Sequence, residues 1–258
     1  MSNPVEKFVK DIEWIRAELM PMDRLCSPLM GISDWDDAVA VKFSGKTLIA
    51  SSDGPYSKRL ALKSALIHAS TDVVVKGAKP LFALDTVIGS RHDVGEIIAS
   101  LKRQALEMKI PLLGGNTLIE DVEARCSLTV IGELLLEKPI RDSTAKRGDA
   151  VCLLGEPIWG EQDERILKAK RLFSAWFTAL KKGVKVSSAK DVTKGGLVSV
   201  VYEMERKSRR KFSLNDIELP MTRNLDNFLL TLSEGEFKKI EKIARKYKCP
   251  VKEIGVVV

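Results

Sequence analysis

Histidine is scarce in this 258-residue chain, which carries only His68 and His92. A histidine-rich metal centre or a Ser-His-Asp triad therefore has little to be built from. The four cysteines, Cys26, Cys126, Cys152 and Cys249, contain no C-x-x-C pair. That spacing argues against a zinc site and a disulfide framework, and suits a reducing, cytoplasmic setting. Cys126 and Cys152 lie in apolar runs and are expected to pack as small hydrophobes. No apolar run approaches the roughly 18 residues of a membrane span. The opening MSNPVEKFVKDIEWIRAEL mixes acids and bases and lacks the apolar stretch of a secretory signal. With 17 Gly and 10 Pro, scattered, the chain does not read as disordered or fibrous. Several signatures are missing: a G-x-x-x-x-G-K-[ST] phosphate loop, a G-x-G-x-x-G after a strand, a G-x-S-x-G elbow and an H-E-x-x-H helix.

What is present is an ordinary globular composition, 45% hydrophobic and 30% charged, with a net charge of +7. Acids and bases are interspersed, so charge alone gives nucleic acid little weight as a partner. One basic patch stands out, Arg206-Lys207-Ser208-Arg209-Arg210-Lys211. Phe212 is its only aromatic neighbour, and a solvated loop is the expected reading.

Apolar spacing predicts an amphipathic helix over residues 5–19 and a hairpin from strands 38–43 and 47–52. It then predicts a helix, or a broken pair of helices, over 58–77. A strand over 81–89 and a helix over 94–108, capped by Asp93 and Glu96, follow. Strands are expected at 110–115 and 127–136. The polar segment 137–149 is the expected boundary between domains 1–142 and 143–258. Beyond it come a strand at 150–155, a helix at 161–181, a strand at 184–191 and a glycine-rich turn opening another helix. A strand at 228–233, a helix over 234–247 with Ser233 and Glu236 as a capping box, and a closing strand complete the pattern. Helices and strands alternate, but the early hairpin argues against a purely parallel sheet.

Chemistry concentrates at strand ends. Asp34, Asp36 and Asp37 place three carboxylates within four residues, comfortable in solvent or around a divalent cation. Ser51-Ser52-Asp53-Gly54 ends a strand, where α/β proteins present ligating groups, though a simple turn would look the same. Asp72, beside Val73-Val74-Val75, either faces a ligand or caps a helix. Gly114-Gly115-Asn116-Thr117 would let a backbone approach a phosphate closely. Asp191-Val192-Thr193-Lys194-Gly195-Gly196 joins a hydroxyl, a lysine and glycines at a helix start, which suits an anion. Each could equally be a capped turn.

The order of these pieces resembles the aminoimidazole-ribonucleotide-synthetase-like superfamily, with thiamine-monophosphate kinase, selenophosphate synthetase and the hydrogenase-maturation dehydratase. Asp36-Asp37-Ala38 is similar to its Asp-Asp-Ala motif, and Ser51-Ser52-Asp53 to its Ser/Thr-Thr-Asp strand end. Lys63, Asp72 and Gly77-Ala78-Lys79-Pro80 resemble its lysine helix, its aspartate and its Gly-Ala-x-Pro turn. Gly114 to Thr117 resembles Gly-Gly-Asp/Glu-Thr, and Asp191 to Gly196 resembles Asp-x-Ser/Thr-x-Gly-Gly. Ile254-Gly255 matches a terminal Ile-Gly strand. The resemblance implies a two-domain α/β (α+β) fold. Its N-terminal mixed-sheet domain would dimerise through a strand barrel, and its C-terminal domain would be α/β. It implies ATP and Mg²⁺ as cofactors, a small-molecule acceptor and a homodimer. Asp37, Asp53 and Asp72 would hold the metal. Lys63, Gly114, Gly115, Asn116, Thr193, Gly195 and Gly196 would face the nucleotide, and Lys63 and Asp191 would serve catalysis. Three departures stand out: Asn116 in place of an acid, Trp35 where related kinases have Gly, and a short second half. They leave room for a non-catalytic nucleotide-binding scaffold of the same fold.

Overall fold

The computed structural model describes residues 17–215 and 220–258, together with Glu6 and Glu13. The helix expected over 5–19 falls mostly outside the described residues. No helix among the described residues is long and apolar enough to cross a membrane.

The early hairpin forms from Val39–Phe43 (β1) and Lys46–Ser57 (β2). Ser44 and Gly45 turn it with φ of 49° and 80°, the left-handed pair that matches the strand twist. The helix Lys58–Val75 (α1) leads to the strand Ala78–Gly89 (β3), and the helix Arg91–Met108 (α2) leads to Leu112–Ile119 (β4). Arg125–Leu134 (β5) inserts between β2 and β3, giving the order β1-β2-β5-β3-β4. Only β3 and β4 pair in parallel; the other pairs are antiparallel.

The second sheet uses Ala150–Leu154 (β6), Ser188–Asp191 (β7), Phe212–Leu214 (β8), Phe228–Leu232 (β9) and Val251–Val257 (β10) in the order β7-β9-β6-β10-β8. Every pair in it is antiparallel. The helices are Gln162–Lys181 (α3), Leu197–Ser208 (α4) and Glu234–Lys246 (α5). The alternation seen in the sequence thus has a specific cause. In β6-α3-β7 and β9-α5-β10 the two strands run the same way but are separated by one antiparallel strand. A crossover helix with a third strand inserted gives β-α-β order without parallel pairing.

Helix α1 is one element broken at Ser64, whose φ of −163° is not helical. The backbone groups freed by the break are satisfied from neighbouring helices. Gln104 accepts from the Leu66 amide at 3.0 Å and donates to the Ala61 carbonyl at 2.9 Å, while Gln162 donates to the Leu62 carbonyl at 2.9 Å. A kink survives in a core only with such replacements. It turns the N-terminal part of α1 away from the buried part that carries His68 and Asp72.

Four local expectations are corrected. Ser90, not Asp93, caps α2, with its hydroxyl accepting from the Asp93 amide at 3.2 Å, and Asp93 and Glu96 pair with Lys58 instead. Ser233 occupies the cap of α5 without a side-chain bond, because Glu236 is engaged by the Lys185 amide at 3.0 Å and by Lys239. The strand expected over 184–191 shrinks to β7. The basic run is only partly a solvated loop: Arg206 to Ser208 finish α4 and the Lys207 side chain is 8% exposed, while Arg206, Arg209, Arg210 and Lys211 are exposed and Lys211 pairs with Glu205.

The main core crosses both sheets. Trp176 of α3 is fully buried, donates from Nε1 to the Val74 carbonyl at 2.6 Å and meets Phe228 edge-on at 5.6 Å. It bolts the end of α1 to the second sheet. Trp176→Ala should lower the unfolding free energy by about 3–5 kcal/mol, from lost burial and the cavity left behind. Chemical denaturation checks this, and a loss near zero would mean the two halves do not depend on this contact.

Candidate functional site

Four carboxylates from separate elements converge. Asp37 follows a single helical turn, Ile32–Asp34; Asp53 lies in β2, Asp72 in α1 and Asp191 at the end of β7. A cavity of about 490 Å³ is lined by Asp37, Ser51, Asp53, His68, Asp72 and Thr193, among others. Ser51 donates to Asp72 Oδ2 at 2.7 Å, and Thr71 donates to Asp191 Oδ2 at 2.7 Å. Burial, reinforced by Asp191, Asp37 and Asp53, pushes the Asp72 carboxyl well above the ordinary carboxylate range. Burial, with Asp37 next, pushes Asp191 up to about 7. Asp191 Oδ1 is buried with no hydrogen-bond partner.

Crowded, desolvated oxygens of this kind suit a hard divalent cation. No three of these four carboxylates bring oxygens within 4.8 Å of one another; among the described residues only His92, Asp93 and Glu96 do so. That surface trio is already neutralised by Lys58. The spread of the buried acids fits Mg²⁺ that takes one or two carboxylates and leaves its other positions to phosphate and water.

Asp36 and Asp37 have different jobs. Asp36 is structural: its side chain is fully buried, accepts from the Asp142 amide at 2.9 Å and pairs with Lys76 at 3.2 Å and with Arg141 at 2.5 Å. Burial alone would raise its pKa, but Lys76, Asp142 and Arg141 hold it well below the usual range. Asp37 faces the cavity yet touches Lys190, with Lys76 Nζ at 3.1 Å from its Oδ2. Lys207 reaches the Trp35 carbonyl and pairs with Asp142 at 2.6 Å. Trp35 has φ of 59°. That left-handed conformation is one that glycine adopts without strain and a tryptophan must be held in. Here Arg206 and Lys207, each 5.4 Å from the indole centroid, hold the ring in cation–π contact.

His68 was not singled out from the sequence. Its Nδ1 lies 2.5 Å from Asp226, its Nε2 3.2 Å from Asp53, and Asn224 approaches Nε2 at 2.7 Å. Burial would lower its pKa, but Asp226, then Asp53 and Asp72, raise it to about 10. It stands protonated, a fixed cation between two acids. One of two histidines in an apolar helix was a usable signal; Asp226 in a loop gave none. Lys190 and Lys76 were legible only as lysines flanking apolar runs.

The other expected residues lie elsewhere. Lys63 pairs with Glu161 at 2.6 Å and is absent from the cavity lining. Gly114, Gly115 and Asn116 lie on exposed β4, apart from the acids. Gly115 has a packing reason of its own, because a Cβ there would fall on the Asp85 carbonyl. Gly195 and Gly196 precede α4 with φ of 92° and 73°, and a Cβ on Gly196 would collide with Thr222.

Residues 35–134 match the sequence model of the AIR synthase related protein, N-terminal domain. An uncharacterised protein of Methanocaldococcus jannaschii is 36% identical over 229 residues, 87% of this chain and 76% of that one. The chain belongs to the AIR synthase-related family. A selenide, water dikinase of Caldanaerobacter subterraneus is 28% identical, covering 75% of this chain and 62% of its own. The PurL subunit of phosphoribosylformylglycinamidine synthase of Methanosarcina barkeri is 27% identical over 72% of this chain but only 31% of its own length. This chain thus spans less than two thirds of either of those two relatives. Among solved structures, T. maritima PurL complexed with ADP superposes with a TM-score of 0.74 at 17% identity, covering 86% of this chain and 42% of that one. A chain of the HypE–HypF complex gives 0.68 at 19% identity and 88% coverage of both. At these identities the structures show a shared fold. The AIR synthase-related segment contains Asp36, Asp37, Asp53, Asp72 and Gly114 to Asn116, whereas Asp191 and Thr193 lie outside it.

Because Asp191 is raised from 3.8 to about 7, the folded chain binds its proton more tightly than the unfolded chain does. Folding is unpenalised below pH 3.8, the penalty grows as pH rises, and it is complete above pH 7. Asp191→Asn, which keeps an acceptor for Thr71, should therefore stabilise the metal-free protein at pH 8 by on the order of 2–4 kcal/mol. The gain should fade toward pH 4. Paired denaturation curves test this, and a pH-independent difference would contradict the crowding of the four acids.

Proposed function

We propose that the chain is an ATP-dependent phosphoryl-transfer or ATP-activating enzyme acting on a small acceptor. The observation that carries this reading is the gathering of Asp37, Asp53 and Asp72 around one cavity, with Asp191 fully buried close enough to raise the Asp72 carboxyl and one of its own oxygens left without a partner. Asp37, Asp53 and Asp72 would supply carboxylates to Mg²⁺, one or two of them to an ion, and the metal when bound neutralises phosphate charge. Thr193 and Lys194 line the same cavity and would contact phosphate oxygens. Lys194 takes the charge-neutralising role in place of Lys63, which is drawn off by Glu161. A neighbouring cavity of about 450 Å³ shares Asp37, Ser51 and Ser52, and its wall includes Ile32, Trp35 and Val39. It gives an apolar, planar base a place beside the acids. Phosphoryl transfer needs positioned charges more than a protein nucleophile, and this set supplies them.

The relatives support the same direction: a selenide, water dikinase, and PurL in complexes with ADP and with ATP. A nucleotide-binding unit of residues 1–142 and a second unit of residues 143–258 are part of this proposal. So is a homodimer. One face of the first sheet is packed by α1 and α2, while Phe43, Leu113 and Ile119 are 67%, 66% and 55% exposed. Phe43 belongs to the edge strand β1 and Leu113 and Ile119 to the opposite edge strand β4, and an exposed apolar edge such as β4 calls for a cover. Joining β4 to a second copy would also bring Gly114 to Asn116 to an interface, the position in which they would line a nucleotide.

A second reading, a nucleotide-binding scaffold without turnover, draws on two observations. Lys190 sits on Asp37, and Asn116 brings no charge. ATP turnover assayed with a panel of phosphate-bearing acceptors separates the two readings.

Asp72→Asn should weaken Mg-dependent binding of a non-hydrolysable ATP analogue by about 100-fold or more in calorimetry, equivalent to about 2.7 kcal/mol. Binding at wild-type affinity would sink the metal assignment. Leu113→Arg should convert a dimer to a monomer in light scattering. A wild-type protein that is monomeric at micromolar concentration would refute the interface.

A further inference from the structure

Acids and bases are interspersed along most of the chain, but two helices depart from that balance. Residues 162–185 hold seven bases and two acids, and residues 234–248 hold six bases and three acids. These segments are α3 and α5 with the few residues that follow each, and together they supply the whole of the chain's net charge of +7. The two helices pack against one another. Thr178 and the Tyr247 hydroxyl lie 2.8 Å apart, and the Lys185 amide donates to Glu236 at 3.0 Å. Rising numbers after α3 thus meet falling numbers in α5. The helices run antiparallel, and these two bonds are separated by about 16 Å of α5. Folding therefore joins the two basic segments into one face.

Part of this charge is neutralised internally. Lys170 pairs with Glu107 of α2, and Lys168 and Arg171 reach Glu156 at 3.6 and 3.7 Å. Lys238, Lys239 and Arg245 pair with acids one turn away on α5. Six lysines are left: Lys181, Lys182, Lys185, Lys242, Lys246 and Lys248. All six are exposed, and no carboxylate among the described residues pairs with any of them. Lys181 and Lys246 lie in the last turns of their helices, where they complement the helix dipole. That effect is confined to the last turn, and it gives no account of Lys185 or Lys242. Six like charges on one side of the molecule repel one another, and a polyanion relieves that repulsion.

What the face lacks decides which polyanion fits. Leu167 is the only large apolar side chain exposed on either helix. A protein interface has an apolar or aromatic centre and is depleted in lysine. A helix lying on a membrane presents an apolar side to insert. A phosphate backbone needs neither, because cations alone hold it. No exposed aromatic ring offers an unpaired base a surface to stack on, which disfavours single strands. We propose that the α3–α5 face docks the sugar-phosphate backbone of a double-stranded nucleic acid without reading its sequence. The six lysines contact phosphates. None of them lines the acidic cavity, so this surface is independent of the nucleotide reading.

The test is fluorescence anisotropy of labelled DNA and RNA duplexes of about 20 base pairs with the whole protein, between about 50 and 200 mM salt. The variants are Lys181→Gln/Lys182→Gln/Lys185→Gln and Lys242→Gln/Lys246→Gln/Lys248→Gln. Arg209→Gln/Arg210→Gln/Lys211→Gln removes the same charge from the other basic run and is the control. All nine positions are exposed, so each variant should fold, and unchanged thermal denaturation verifies this. The logarithm of the wild-type affinity should fall against the logarithm of salt with a slope of about −4 to −5, as about four to six neutralised phosphates require. Each lysine variant should weaken binding about tenfold or more at the lower salt and roughly halve the slope. The control should stay within about twofold of wild type. The proposal is overturned if the wild type binds neither duplex at the lower salt, if the lysine variants bind normally, or if the control loses as much as they do. A matching single strand that binds more tightly than the duplex also overturns it. So do phosphatidylserine vesicles that bind through the same lysines while the duplexes do not, because the face would then belong to a membrane surface.

Discussion

The structure turns on a buried chain of charges: Arg141 and Lys76 on Asp36, Lys76 and Lys190 on Asp37, and Lys207 on Asp142. Lys76 is fully buried, and so is the side chain of Asp36. Ions withdrawn from water cost several kcal/mol each, and only close, multiple partners offset this. The members come from a loop before β1, the end of α1, the segment after β5, β7 and α4. None can be moved without stranding a charge in the interior. The network thus fixes the position of the second sheet against the first. It also delivers Asp37, its outermost acid, to the edge of the cavity.

That cavity is the converse case. Asp72 and Asp191 are buried among like charges without enough cations of their own, and their raised pKa values record the strain. A fold selected for stability alone would replace them. Holding uncompensated carboxylates in place is what a cation site requires, and the cost is borne by the rest of the core. Trp176 and the crossed packing of both sheets contribute to that reserve. A neighbouring cavity repeats the arrangement with the opposite sign. It is lined by Arg59, Arg165, Lys194 and Arg223 and shares Lys194 and Asn224 with the acidic cavity.

Much of the fold was legible because it depends on local pattern. The hairpin, the position of α2 and α3 and the strands β6 and β9 follow from spacing and turn residues. Even the break in α1 was open as an alternative. Capping was misjudged at α2 and α5 because the acids concerned found partners distant in sequence, Lys58 for Asp93 and Glu96 and the Lys185 amide for Glu236. Lys207 was misplaced for the same reason: a cation in a basic run looks solvated until its buried partners are known.

By itself the sequence determined which residues could form helices and strands, and that carboxylates would cluster at their ends. It also carried the family resemblance, through Asp36-Asp37-Ala38, Asp53, Asp72 and the two glycine pairs. Those properties rest on short-range sterics and residue chemistry. Only the tertiary structure decided that Asp36 is an internal salt-bridge partner while Asp37 reaches the cavity, that Lys63 turns away to Glu161, and that His68 joins Asp53 to Asp226. It also decided that Arg59, Arg165 and Arg223 share a wall. The reason is physical: charge interactions depend on separation and burial, and neither is encoded in the spacing of residues along the chain.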